Sequence, residues 1–250
     1  MNLKFLGYGS AFNPKFGITN AYFEHKNDLY LIDCGGSAFE QLMSHLNLES
    51  YQSIYVLLTH LHADHVGSLG TLISYEYCMW KKQVIVIYPD DTIVHLLSLM
   101  GIENNFYQYY PMLPEQCSIK ATPILVEHVP TMNCYGYLLT DQNEKIYYSG
   151  DSNQLPVSIK EQFLNGQIKR IYHDTSSVES TSHCYIKRLE EAIPMELRNN
   201  IYCMHLDCDC ERQLKEKGFS IVKPEMNWEN NRWKGSDIKL FKRCFISLFN

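Results

Sequence analysis

The chain has 250 residues, 45% apolar and 20% charged, with a formal net charge of −6 from 22 basic and 28 acidic side chains. That composition suits one folded domain over residues 1–250, long enough to bury a sizeable core. The acidic balance counts against long nucleic acid, whose phosphates are gripped mainly by Lys and Arg, but not against a small anionic substrate held at a metal.

The first eleven residues lack a basic segment followed by an apolar run, and the longest apolar stretches are strand-sized. Neither a secretion signal nor a membrane span is expected. Nine scattered cysteines, an odd number without framework spacing, fit a reducing cytoplasm better than a disulfide scaffold. Cys208-Asp209-Cys210 has no second pair at zinc-finger spacing to support a metal reading.

Short β-type runs alternate with helical patterns along the chain. Residues 3–7 form an apolar run ending at Gly7-Tyr8-Gly9, a turn without the continuation of a phosphate loop. Residues 21–24 and 29–33 flank Lys26-Asn27-Asp28 as a hairpin. Phe39, Leu42, Met43 and Leu46 recur at helical spacing. A buried strand is predicted over 54–58, a helix over 66–77, a strand over 83–88, and a helix capped by Asp90 or Asp91 that ends near Gly101. Later strands are predicted over 124–127, 135–140, 145–149, 168–173 and 200–204. A second hairpin turns at Asp141-Gln142-Asn143. Helices follow over 158–164, 185–192 and 211–217. Antiparallel hairpins interleaved with helices predict an α+β arrangement of two sheets covered by helices, not a doubly wound parallel sheet. In the tail, Trp228 and Trp233 precede Phe241 and Phe245 at i, i+4 spacing, the pattern of a docking helix.

Thr59-His60-Leu61-His62-Ala63-Asp64-His65 is the most informative segment. Following a strand, His60 and His62 project to one side of an extended loop. Asp64 and His65, at the turn into the next helix, can aim at a second position a few ångströms away. Imidazole with carboxylate suits zinc, manganese or iron rather than magnesium or calcium. Three later strand ends carry further donors: His128, Asp151 after Gly150, and His205. A glycine at position 150 lets backbone approach closely. Asp33, closing its own strand before Cys34-Gly35-Gly36, is a candidate orienting carboxylate.

This ordered set resembles the metallo-β-lactamase fold superfamily. The resemblance implies an αββα four-layer sandwich with a dinuclear site. His60, His62 and His128 would bind one metal; Asp64, His65 and His205 the other; Asp151 would bridge. An aspartate at that last position, not a cysteine, argues against the antibiotic-hydrolysing branch.

Within the superfamily, Phe5-Leu6-Gly7-Tyr8-Gly9-Ser10-Ala11 is similar to the opening of the RNase Z-like branch, and Tyr135-Gly136-Tyr137 after His128 is similar to its third-ligand strand. His173-Asp174-Thr175 looks like a variant of its His-Glu-Ala-Thr motif. His183, 22 residues before His205, stands where that branch carries a histidine that helps expel the leaving oxygen, although Ser182-His183-Cys184 departs from the usual His-Ser-Thr. The competing reading is a structural surface histidine. Only 22 residues separate His128 from Asp151, leaving no room for the arm with which RNase Z enzymes grip tRNA.

A compact phosphodiester fits better, and the chain is most similar to the anti-Pycsar cyclic-nucleotide phosphodiesterases. Members of that group are homodimers in which a loop of one subunit helps close the other's site. The resemblance implies two divalent ions, zinc or manganese, Asp64 and His183 as catalytic residues, and hydrolysis of 3′,5′-cyclic mononucleotides (cCMP, cUMP, cAMP, cGMP). Residues 103–114 are the candidate closing loop: Phe106, Tyr107, Tyr109 and Tyr110 crowd a Pro-bounded stretch without helical or strand periodicity. Tyr109 and Tyr110 are the candidate base-stacking residues; the alternative is that these rings pack a core or a dimer surface. The rival functions are an RNase Z-like endonuclease or another small phosphodiesterase, and, from another class, a nucleotide-sequestering binding protein. Less favoured are a lactonase or thioesterase of the same fold and a metal-stabilised structural protein.

Overall fold

A computed structural model describes residues 1–224; the tail helix expected beyond residue 226 lies outside them. Among the described residues the chain forms twelve strands and seven α-helices. The strands are β1 (Lys4–Gly7), β2 (Asn20–His25), β3 (Asp28–Ile32), β4 (Ser53–Leu57), β5 (Val84–Ile87), β6 (Tyr107–Tyr110), β7 (Lys120–Val126), β8 (Cys134–Thr140), β9 (Lys145–Tyr148), β10 (Arg170–Asp174), β11 (Ile201–Met204) and β12 (Ser220–Ile221). The helices are α1 (Ala38–His45), α2 (Ala63–Val66), α3 (Leu69–Trp80), α4 (Thr92–Leu99), α5 (Val157–Leu164), α6 (Ile186–Ala192) and α7 (Glu211–Glu216).

The strands form two sheets of six, ordered β1-β2-β3-β4-β5-β6 and β12-β11-β10-β9-β8-β7. Each sheet begins as an antiparallel meander of three strands and continues with three strands added in parallel. Both expected hairpins are present. The second turns at Asp141, whose Oδ1 accepts the N–H groups of Asn143 and Glu144, both at 2.8 Å. The parallel additions follow because β3–β6 and β9–β12 are joined through helical segments, which return the chain to the same sheet end.

Successive strand residues face opposite sides, so the sequence alternation sorts into layers. Leu29, Leu31, Ile54 and Val56 join a core with Leu42, Leu72, Ile73 and Leu97 of α1, α3 and α4. Their neighbours Tyr30, Ile32 and Leu57 face the opposite sheet and pack with Tyr137, Ile146, Tyr148 and Met204. Tyr147, Ile171, Ile201 and Cys203 point outward against Ile159, Phe163, Leu189 and Leu214 of α5, α6 and α7. Three apolar layers between four layers of secondary structure make the expected αββα sandwich.

Three readings change. The helix expected over 66–77 is two, α2 and α3, broken at Gly67–Ser68. The chain there docks on the segment after β3: Cys34 N–H donates to His65 C=O, and Ser68 N–H donates to Cys34 C=O. A Cβ at Gly67 would stand 2.4 Å from the Ala63 carbonyl oxygen. The strand expected over 124–127 begins at Lys120 and is the edge of its sheet, where Pro123 is tolerated because a missing N–H breaks no ladder. The segment read as lacking strand periodicity contains β6, and Ser220–Ile221 adds a twelfth, two-residue strand.

Candidate metal centre

The C-terminal ends of the parallel strands of both sheets converge. β3 delivers Asp33; β4 delivers His60, His62 and, on α2, Asp64 and His65. His128 follows β7, Asp151 follows β9, and His205 follows β11. Sharp turns let these ends release their side chains inward: Asp33 and His205 have φ of 67° and 57°, and Gly150 has φ of 58°. A left-handed backbone at a non-glycine residue costs about 1–2 kcal/mol, so two such residues in one cluster mark a geometry held by its surroundings. At Gly150 a Cβ would stand 2.8 Å from the Thr59 side chain, the close approach expected there. At Gly35 a Cβ would lie 1.7 Å from the Asp64 carbonyl oxygen, so only glycine lets the ligand-bearing turn seat.

The donors form two adjoining clusters, His60–His62–His128 and Asp64–His65–Asp151–His205, each with its donor atoms within 4.8 Å of one another. In the first, His62 Nδ1 stands 2.9 Å from His60 Nε2 and 3.3 Å from His128 Nε2. In the second, His65 Nε2 is 3.2 Å from Asp64 Oδ2 and 3.4 Å from Asp151 Oδ1; His205 Nε2 is 3.4 Å from both Asp64 Oδ2 and Asp151 Oδ2. Asp151 Oδ2 also lies 3.8 Å from His60 Nε2 and 3.7 Å from His128 Nε2, so this one carboxylate touches both clusters. Ligands about 2.0–2.2 Å from a tetrahedral ion stand roughly 3.3–3.6 Å apart, and the donors here, 2.9–3.8 Å apart, bracket that spacing. Three ring nitrogens aimed at one another and a buried His65 Nε2 without a hydrogen-bond partner fit a cation at their centre.

Proton positions support the same fit. His65 Nδ1–H donates to Asp33 Oδ2 (2.8 Å) and His128 Nδ1–H to the Ser182 carbonyl (2.8 Å), leaving both Nε2 atoms free to face inward. The Thr59 hydroxyl donates to Asp33 Oδ2 (2.9 Å) and lies 3.1 Å from His60 Nδ1, whose proton it can accept. Thr59 N–H donates to Asp33 Oδ1 at 2.7 Å. Asp33 is therefore the orienting carboxylate its position suggested, and Thr59 is an orienting hydroxyl that sequence reasoning passed over. Its signal was its place, between the strand and the first histidine.

Electrostatics divide the two clusters. Burial, helped by neighbouring imidazoles, holds His60 and His62 below the usual histidine range, so their lone pairs are available at neutral pH. Burial works against charge at Asp151, but His205 and His65 more than reverse it and hold the carboxyl well below its ordinary value. Asp151 with Asp33 outweighs burial at His65, pushed well above the usual range, and Asp151 with Asp174 and Asp64 does so at His205, pushed up to about 10. A cation at the second cluster would therefore have to compete with protons there.

His183 is half-buried at the edge of the donor clusters. Its Nδ1 lies 2.7 Å from Asp174 Oδ2, and its ring centroid is 5.0 Å from those of both His128 and His205. Its side chain is 31% exposed, so one edge meets solvent above the donors. Asp174 is fully buried and also receives Ser152 N–H, with Oδ1 3.6 Å from His205 Nδ1. Burial opposes the imidazolium of His183, but the bond to Asp174 prevails and raises its pKa. His173 falls outside the donor clusters, buried with Nδ1 on the Asp174 carbonyl.

The aromatic segment 103–114 is corrected. Residues 107–110 are edge strand β6, paired with β5, and this pairing makes them sheet rather than loop. Phe106, Tyr107 and Tyr109 pack on the helix-side core, Tyr107 fully buried and Tyr109 partly. Tyr110 and Met112 remain exposed, at the strand end on the same side as the donors but two strands from His60. Cys208 and Cys210 come within 4.8 Å of an Asp207 oxygen. That carboxylate, however, is already engaged by Ser176 and Ser177.

Residues 1–225 match the family profile of the anti-Pycsar protein Apyc1. The chain belongs to that family. Similar relatives of the same name come from Paenibacillus harenae, 24% identical over 92% of this chain and all of the relative, and from Bacillus phage BSP38, 27% identical over 81% and 88%. Among solved structures, the metallo-β-lactamase fold protein YhfI of Bacillus subtilis superposes with a TM-score of 0.70 at 15% identity, covering 90% of this chain and 98% of that one. The short form of human tRNase Z gives 0.66 at 18% identity, covering 90% and 98%. The fold is thus the metallo-β-lactamase fold, and its neighbours include a tRNase Z.

Proposed function

We propose that this protein is a metal-dependent phosphodiesterase that hydrolyses 3′,5′-cyclic mononucleotides to nucleoside monophosphates and so counters Pycsar antiviral signalling. The observation that carries the reading is the seven-donor double cluster with the Asp174–His183 pair poised at its open edge. His60, His62 and His128 would hold one divalent ion, and Asp64, His65 and His205 a second, with Asp151 shared. Zinc, or manganese, suits the nitrogen-rich set. Such ions supply Lewis acidity and lower the pKa of water towards about 7.

The chain's own residues supply the rest. Asp64 and Asp151 keep fixed negative charge beside the attack position and orient the incoming nucleophile by accepting its hydrogen bond. The His183 imidazole, held by Asp174 at Nδ1, presents its Nε2 edge to the leaving ribose oxygen and can donate a proton there. Closing of the site by a second copy of the chain is part of the proposal, with Tyr110 the exposed aromatic at that end. A family name shared with relatives of bacterial and phage origin supports the anti-defence role.

Incubating the protein with cCMP, cUMP, cAMP and cGMP in zinc or manganese should release nucleoside monophosphate. Product no greater than that of His62→Ala would sink the idea. An RNase Z-like endonuclease is disfavoured by the 22 residues between His128 and Asp151, which form only β8, β9 and their connections. Recovery of intact nucleotide from a denatured complex would instead indicate sequestration.

A further inference from the structure

The loop joining β10 to α6 carries His183, yet the group that anchors it lies on a different segment. Ser176 closes the loop base: its N–H donates to Cys184 C=O (2.8 Å) and its C=O accepts Ile186 N–H (3.0 Å). Within the loop, Ser180 Oγ accepts His183 N–H (2.9 Å), the Ser182 carbonyl accepts His128 Nδ1–H (2.8 Å), and His183 Nδ1 meets Asp174 (2.7 Å). Asp207, two residues past His205, reaches this base from the end of β11. Its Oδ2 lies 2.9 Å from Ser176 Oγ and 3.0 Å from Ser177 Oγ, and Ser177 N–H stands 3.1 Å from both carboxylate oxygens.

We propose that Asp207 is a positioning residue: by clamping Ser176 and Ser177 it fixes the loop that aims His183 over the donor clusters and sets the Ser182 carbonyl on His128. The Ser177 hydroxyl and N–H converge on one carboxylate, joined by the Ser176 hydroxyl, whose proton is shared with the Val178 carbonyl at 2.7 Å, and hydrogen bonds to an ionised acceptor are the stronger kind. The segment bearing His205 and the loop bearing His183 therefore move as one unit. Asp207 belongs to neither of the two donor clusters, so its effect passes through the loop, to His183 and to the Ser182 carbonyl on His128. The inference rests on the reading of the site as a phosphodiesterase centre.

The test compares Asp207→Ala and Asp207→Asn with His183→Ala and the Asp207→Ala/His183→Ala double variant, using bis(p-nitrophenyl) phosphate and cCMP at saturating manganese. Asp207→Ala should lower kcat about 10-fold with KM changed less than about 2-fold, and Asp207→Asn, which keeps one acceptor oxygen, should recover part of it. In the His183→Ala background the Asp207 change should cost much less than it does in the wild type, since only the Ser182 contact with His128 is left to lose; fully additive losses would overturn the proposal. Hydrogen exchange on the metal-free protein is the readout independent of turnover. Amides of 176–186 should exchange faster in Asp207→Ala with the two sheets unchanged; unaltered exchange there, or faster exchange everywhere, would also overturn it. If the wild-type protein cleaves neither phosphodiester, the reading of the site fails, while the exchange result still decides whether Asp207 holds the loop.

Discussion

Thr59 shows how much can depend on one hydroxyl. It touches Asp33, His60 and, at 3.3 Å, His65 Nδ1, so it helps set the orientation of a histidine in each cluster. Thr59→Val keeps the shape and removes the hydrogen bonds. Orienting partners of metal ligands are worth roughly 10- to 100-fold in affinity, and a loss of that size in competition with a chromophoric chelator is expected; unchanged affinity would show that packing alone aims His60. Glu76 on α3 is the other exceptional residue. Its side chain is buried, neither carboxylate oxygen has a hydrogen-bond partner, and burial, only partly offset by Lys82, pushes its pKa up to about 7. A carboxyl raised in the folded state stabilises the fold below its unfolded pKa of about 4.3, and that contribution is lost as pH rises through 7. Glu76→Gln cannot ionise. From pH 5 to pH 8.5 it should gain on the wild type by up to about 3 kcal/mol in denaturant melts, and a difference independent of pH would contradict the assignment.

At the level of elements, β8 does more than pair. Tyr135 N–H donates to the Thr59 carbonyl (2.9 Å) and the Tyr137 hydroxyl to the Leu58 carbonyl (2.8 Å), so Tyr135-Gly136-Tyr137 fastens one sheet to the strand end that leads into His60. Gly136 is required because a Cβ would stand 2.3 Å from the Tyr147 hydroxyl oxygen and 2.8 Å from the Tyr148 carbonyl. Gly136→Ala should cost about 2–4 kcal/mol. Tyr147→Phe, which removes a buried hydroxyl with no partner, should be neutral or stabilising by up to about 1 kcal/mol and should recover part of the Gly136→Ala loss. Strict additivity in the double variant would mean that the clash lies with the backbone alone. The elements that were legible, such as β3, β4 and the hairpin at Asp141, combine period-two burial with turn residues. Two of the revised segments lack that agreement. In β6 the aromatic run hides an alternation that only pairing with β5 reveals, and α2 breaks from α3 because Cys34 and Gly35 claim the backbone at that point.

For the whole molecule, the consequence lies in where the donors originate. His60, His62, Asp64 and His65 come from one sheet, and His128, Asp151 and His205 from the other. A bound ion would tie the halves together across their tyrosine-rich interface, and ligand that binds only the folded state stabilises it by about 2.7 kcal/mol at 100 times its Kd. Zinc or manganese should therefore raise Tm by roughly 5–10 °C, and a chelator should reverse it; a Tm indifferent to metal would argue against cations bridging the sheets. Among the described residues no helix is long and apolar enough to cross a membrane.

The sequence by itself determined the donor types, their order and their placement at strand ends, because these are local patterns: a two-residue spacing, an apolar run, a glycine before an aspartate. It also determined the layering, since alternation along a strand is a local property. Tertiary structure decided which nitrogen of each imidazole faces inward, because the partner that holds the other nitrogen comes from a distant segment: Asp33 for His65, Ser182 for His128. It decided that His183 pairs with Asp174 above the donors, and that Tyr107 and Tyr109 pack against a core. Each of those outcomes depends on backbone paths brought together from both sheets, which no spacing along a single chain specifies.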